Sequence, residues 1–399
     1  MSLTLQCLKS TTGHPGRTRH AHRTRPTQGR SQVRAPEASD PRLTKLGKPN
    51  LICLLVLRTD PPGDTAPATP RSSAVRRPLL LVAGLCALVL CAALSLALGS
   101  RSVPLTTVVD ALTGSAHGTD ADVVTGLRVP RTLIGLAVGA ALGIAGAVAQ
   151  GVTRNPLASP ITLGINAGAS LAVVAAIYAL DLSRPVEYVW FAFAGAAVAA
   201  VAAYAMSRRG GDLDPVRLAL GGTVLTVVLT SWTSALMLAS HRTLDEARFW
   251  LVGSIGGRRL DALTPVLPFL ALGLLAAFAV APALNALALG DESAQSLGVP
   301  VARIRLVGGL AVVLLAGGAV AVAGPVAFIG LAAPHLARPL LGNDHRWLLP
   351  GCLITGPLLL LTADVLGRLV VRPSEIEVGI VTAFLGAPLL AVLARKVAK

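Results

Sequence analysis

Apolar positions in this chain come in long blocks divided by short polar breaks. From residue 79 onward the pattern predicts ten helices: Leu79–Gly99, Pro130–Thr153, Ile161–Leu180, Val186–Met206, Val216–Ala239, Leu263–Leu287, Leu306–Ala323, Gly324–Leu341, Leu348–Leu366 and Val378–Val397. A helix rises about 1.5 Å per residue, so about 20 apolar residues cross a hydrocarbon layer of roughly 30 Å. One such block could be a buried helix of a soluble protein; ten in succession point to an all-α membrane protein with about ten transmembrane helices. Pro130 suits a helix start, and Pro334 is expected to break the eighth block. The connections are expected to hold an amphipathic piece at Leu105–Leu112, a plain loop at Ser207–Pro215 and a short helix around Asp245–Val252. Trp190, Trp250, Trp347 and Tyr188 lie near block ends, where interfacial aromatics belong.

Composition agrees: 53% of the 399 residues are hydrophobic and 14% are charged, against about 25% charged in a soluble domain. The net charge of +15 is concentrated at one end. Residues 1–77 hold 14 of the 35 Lys+Arg and 4 of the 20 Asp+Glu, giving +10; the remaining 21 and 16 give +5. The basic excess therefore belongs to the tail and does not argue for nucleic-acid binding. Residues 1–77 have little apolar periodicity and are expected to be disordered, with residues 78–399 forming the membrane domain. The island Leu51–Leu57 is too short to span a bilayer. A translation start near Val75 would leave the tail untranslated. His14, His20 and His22 read as part of a solvated basic tail. Cys7, Cys53, Cys86, Cys91 and Cys352 form no CxxC pair and read as packing residues.

Several polar groups stand out against this background. Gly135, Gly139 and Gly143 recur every fourth residue, lining one helix face that another backbone can approach closely. A polar break holding Asn155 and Pro156 follows. Between two apolar blocks lies Leu289-Gly290-Asp291-Glu292-Ser293-Ala294, continuing to Leu297 and Gly298. Asp291 to Ser293 can cap a short helix, Ala294 and Leu297 would form its apolar face, and Gly298 can end it. A solvated connecting loop is the plainer reading. Arg128, Arg131 and Arg368 sit at block ends on one predicted side, where snorkelling is an ordinary role. Asp364 is an intramembrane carboxylate and so a functional candidate, but its spacing from Arg368 favours a structural pair. His335 could suggest a ligand or a relay; with no second ligand at metal spacing it reads as a packed histidine. No GxxxxGK[ST], HExxH or GxSxG motif occurs, so neither enzymatic activity, cofactor nor metal is expected.

The chain resembles the permease subunits of bacterial ATP-driven importers for iron–siderophores, haem and vitamin B12, the FecCD family. The resemblance is carried by Leu127-Arg128-Val129-Pro130-Arg131, Gly139-Ala140-Ala141-Leu142, Gln150, Arg154-Asn155-Pro156-Leu157-Ala158 and Leu163-Gly164 with Gly168-Ala169. Further on it is carried by residues 324–331, Pro334-His335-Leu336-Ala337-Arg338, Asn343-Asp344-His345-Arg346 and the closing block from Val378. Glu377 stands where proline is usual and Leu389-Leu390 where an aromatic is usual. The resemblance implies the fold of the vitamin B12 importer permease and transport of iron(III)–siderophore, with vitamin B12 or haem as the alternative cargo. It implies a second permease copy or paralogue, ATPase subunits pushing on Leu289–Gly298, and a soluble or lipid-anchored binding protein docking on Arg128, Arg131 and Arg368. Gly135, Gly139, Gly143, Asn155, Pro156, Pro334, His335 and Asp364 are then structural or gating positions. Both termini would face the cytoplasm, although the arginines of the connections are too evenly shared to decide this. An ion-coupled secondary transporter would need paired charges at mid-bilayer and matching broken helices; a membrane enzyme would need a convergent polar site. The sequence offers neither.

Overall fold

The computed structural model describes residues 71–397 apart from 100–102, 116–117, 183, 210–211, 214 and 372–373. Most of the expected basic tail, with its histidines, Cys7, Cys53 and the island Leu51–Leu57, lies outside the described residues. The described chain is helical, in the order α1 Arg71–Ala97, α2 Leu105–Thr113, α3 Thr119–Val123, α4 Val129–Thr153, α5 Ile165–Leu180, α6 Pro185–Ser207, α7 Pro215–Ala239 and α8 His241–Leu251. It continues with α9 Leu260–Leu263, α10 Leu267–Leu287, α11 Asp291–Ser296, α12 Val301–Ala323, α13 Ile329–Leu341, α14 His345–Val370 and α15 Val378–Val397. Seven stretches are long and apolar enough to cross a membrane; α5 and Val378–Pro388 are shorter apolar helices, and α13 has 13 residues. These ten are the ten expected blocks.

Boundaries differ where charge was taken for an end. The seventh helix begins at Val301 and encloses Arg303 and Arg305, and the ninth begins at His345. A cap sets the second of these ends: Asp344 accepts the Arg346 N–H at the start of α14. The supposed plain loop at Ser207–Pro215 contains a two-residue antiparallel pairing, Arg208 with Leu213 and Arg209 with Asp212. The short helix expected near Asp245–Val252 is α8, begun by Ser240, whose hydroxyl accepts the Thr243 N–H at 3.2 Å. Trp250 and Tyr188 are not interfacial. Trp250 is 1% exposed and meets Tyr188 edge to face at 6.1 Å, inside the core.

The core is organised around α4, which packs against α14, α12, α13 and α10. Its glycines explain how. A Cβ on Gly139 would stand 2.5 Å from the Pro357 Cα, and one on Gly143 would stand 2.7 Å from the Cys352 carbonyl oxygen. On Gly135 it would meet the Leu361 side chain at 2.6 Å. The stripe therefore presses backbone to backbone against α14, as small residues do in membrane helix pairs.

Pro334 does not break α13. The break precedes it, at residues 324–328, where Phe328 takes a left-handed turn at φ 66°. Pro334 has no N–H to give the Gly330 carbonyl one turn earlier. That carbonyl faces Gly146 of α4, where any Cβ would collide with it. Proline and glycine thus work as a pair: one frees a carbonyl, the other makes room for it.

Candidate functional site

Two charged clusters stand at opposite ends of α4, whose 25 residues span about 37 Å. At its first end a π-helical turn, Val124–Arg128, leads into the helix. Asp364 of α14, 1% exposed, takes the Arg131 guanidinium side-on, with Nε at 3.0 and 3.2 Å and Nη2 at 2.8 Å. Arg368 closes on the other oxygen at 2.8 Å. Arg131 also reaches Glu375 at 2.6 Å. Buried charges need such compensation.

The same arginines serve a second purpose. The last carbonyls of α1 lack helical partners and carry the negative end of its dipole. Arg128 Nη1 donates to the Leu96 and Ala97 carbonyls at 2.7 and 2.8 Å. Arg368 Nη1 donates to those of Ser95 and Leu98 at 3.0 and 2.8 Å, and its Nη2 to the Ser95 hydroxyl at 2.9 Å. Arg128 and Arg368 are accordingly buried, and Arg131 is nearly so. A cavity of about 400 Å³ opens above them, lined by Asp120, Leu127, Gly257 and Glu375 among others. Replacing Arg128 by leucine removes two charge-assisted bonds, each of about 1.5–3 kcal/mol. The C-terminal end of α1 and the connection after it should then become sensitive to limited proteolysis in detergent, while the rest of the chain stays resistant.

The second end is built on turns. Arg154 ends α4 in the left-handed region at φ 52°. Asn155 Oδ1 accepts the Leu157 N–H at 2.9 Å, an Asx turn beside Pro156. Asn285, near the end of α10, donates to Asp344 at 2.6 Å and accepts from the His345 N–H at 2.9 Å. Burial works against ionising Asp344, but the bonds from Arg346 N–H and Asn285, with the charges of Arg346 and Arg77, hold its carboxyl below the usual range. His335 lies on α13 with Nδ1 2.8 Å from the Leu331 carbonyl oxygen.

Here α11 is seated. Ala294 is fully buried among Leu287 and Val301. Leu297 does not share that face: it and Leu289 are about two-thirds exposed. Gly290 at φ 113° and Gly298 at φ 78° bound the segment. Asp291 makes no capping bond. Its carboxylate turns to Arg305 of α12, at 3.0 and 2.8 Å. Spacing pointed to none of Ser95, Glu375, Asn285 and Arg305. Arg305 in particular falls, by sequence pattern, in the connection before the helix, where an arginine needs no partner.

Comparisons with known proteins identify the family and the fold. A model described as the FecCD transport family matches residues 87–396. The ferric enterobactin transport system permease protein FepD of Escherichia coli is 45% identical over 327 residues, 82% of this chain and 97% of that protein. The iron(3+)-hydroxamate import system permease protein FhuB of Bacillus subtilis is 40% identical over 80% of this chain and 83% of its own. The hemin transport system permease protein HmuU of Yersinia pestis is 42% identical over 49% of this chain and 59% of its own. A solved metal-chelate type ABC transporter in an inward-facing conformation is 28% identical, with TM-score 0.70, covering 80% of this chain and 99% of that one.

Proposed function

Because this chain belongs to the FecCD transport family, we propose that it is the permease subunit of an ATP-driven importer carrying an iron(III)–siderophore into the cytoplasm. The observation that carries the mechanism is the seating of α11: one side fixed by buried Ala294, the other presenting Leu289, Glu292 and Leu297. A short helix offering an acid, flanked by two exposed leucines beside the membrane, suits an apolar, basic-rimmed groove on a separate ATPase. That end faces inward with both termini, and the arginine end faces outward. The siderophore is preferred over haem or vitamin B12 because the ferric enterobactin and hydroxamate permeases match over most of their length, whereas the hemin and cobalamin permeases match over 59% and 55% of theirs.

Arg128 and Arg368 form the floor of the outer cavity. Arg131, whose Glu375 partner is part-exposed, is the arginine placed to exchange partners with an acidic side chain of a binding protein. Such an exchange sets register and encounter rate more than affinity. A second permease copy is supported by α7. It and α1 each bury little surface, yet α1 is the most and α7 the least apolar of the seven candidate spans. Thr223, Thr230, Ser231 and Ser234 all lie on the exposed part of α7. Lipid suits α1; a protein partner or a wet pathway suits α7.

Replacing Leu289 and Leu297 together by serine should abolish co-purification with the ATPase and uptake of iron(III)–enterobactin into vesicles, leaving the thermal stability of the permease within about 1 kcal/mol. Uptake and ATPase association that survive disruption of the whole 289–298 segment would overturn the mechanism.

A further inference from the structure

We infer that Asp291 and Glu292, adjacent in sequence, do opposite jobs: Glu292 faces the ATPase, and Asp291 is a strut that passes its push to α12 and the inner end of α4. This rests on reading α11 as the ATPase seat. The segment hangs between Gly290 and Gly298, both at positive φ, and a Cβ on Gly298 would meet nothing within 4 Å. Glycines at these positions turn the chain sharply into and out of α11, leaving side chains to fix the segment against its neighbours. Ala294 supplies a small apolar seat with little leverage.

The brace is the Asp291 carboxylate. It takes Arg305 Nη2 through both oxygens, and Arg154 Nη1 stands 3.6 Å from Oδ1. Arg305 lies one turn into α12 and is 6% exposed; Arg154 ends α4. One side chain thus ties α11, α12 and the inner end of α4 together. Glu292 is exposed and has no ion pair or hydrogen bond among the described residues. The far end of α4 carries Arg131 and Asp364, so a displacement of its inner end is felt at the outer cluster. A pair with one member buried is stiffer than a surface pair, because water competes less for it.

The test is made on the full chain, reconstituted in vesicles with its ATPase and binding protein and supplied with iron(III)–enterobactin. Asp291→Asn and Arg305→Gln should each retain ATPase co-purification and ATP hydrolysis. Iron moved per ATP hydrolysed should fall about tenfold. Asp291→Glu, which keeps a carboxylate for both Arg305 and Arg154, should retain at least half of the coupling that Asp291→Asn loses. Glu292→Lys should instead lose ATPase association. A normal iron-to-ATP ratio in Asp291→Asn overturns the strut. So does loss of ATPase association in that variant, or an Asp291→Glu protein as uncoupled as Asp291→Asn. Should deletion of 289–298 leave association intact, the seat itself falls, separately from the strut.

Discussion

Asp364→Asn is expected to destabilise the permease by roughly 3–5 kcal/mol and to abolish uptake, because it strips a buried counter-charge from two guanidinium groups. Asp364 is 1% exposed, and Arg131 and Arg368 both close on it within 3 Å. Arg368 cannot relax into water: it is 2% exposed and is committed to the carbonyl end of α1. The control is Glu375→Gln. Glu375 binds the same Arg131 from the part-exposed rim, where an ion pair is worth about 0–1 kcal/mol. Thermal unfolding in detergent, followed by light scattering, separates the two. Equal losses in both variants would mean that the buried cluster is not the fastening described above. Uptake should follow a different order, with Glu375→Gln changing the response to the binding protein without unfolding the chain.

Gly146→Val is expected to prevent accumulation of folded protein. Its side chain would have to enter the space of the Gly330 carbonyl, and backbone cannot rotate aside as a flexible side chain can. Overpacking in a core ordinarily costs about 1–3 kcal/mol; here α4 and α13 would have to part, so the cost exceeds that range. Gly309→Ala is the matched control in a neighbouring helix. A Cβ there would meet nothing within 4 Å, so the change should stay within about 1 kcal/mol and gain slightly from helix propensity. Membrane yield and monodispersity on size-exclusion chromatography read both. A well-folded Gly146→Val protein would refute the close approach.

What the sequence made legible follows from which forces are local. Apolar length alone located the ten helices, since it reports the requirement of the bilayer. The spacing of Asp364 and Arg368 put both on one helix face, and they pair there. It could not reveal Arg131 on the same carboxylate, 233 residues away, because ion pairs between helices leave no periodic trace. Charge misled at Arg303 and Arg305, which look like loop and are helix. The reason is that a helix continues wherever its backbone bonds are satisfied, and Arg305 is neutralised by Asp291. Aromatic position misled at Trp250, which sits near a block end yet packs in the core. Pro334 misled because its cost falls on the carbonyl one turn earlier, and Gly146 had already made room for that carbonyl.

The contact of α4 with α13 and α14 has one more consequence. Side chains that interdigitate can hop between rotamers and let two helices slide by small steps; main chain resting on main chain has no such lubricant. The three helices therefore travel as a single keel, and relative motion during a transport cycle is displaced to seams lined by ordinary side chains, such as that between α6 and α12, where Gly317 faces the side chains of Ala196 and Phe193. Cross-links between α4 and α14 placed away from the glycine contact should leave transport intact, whereas cysteine pairs bridging α6 and α12 should jam the machine.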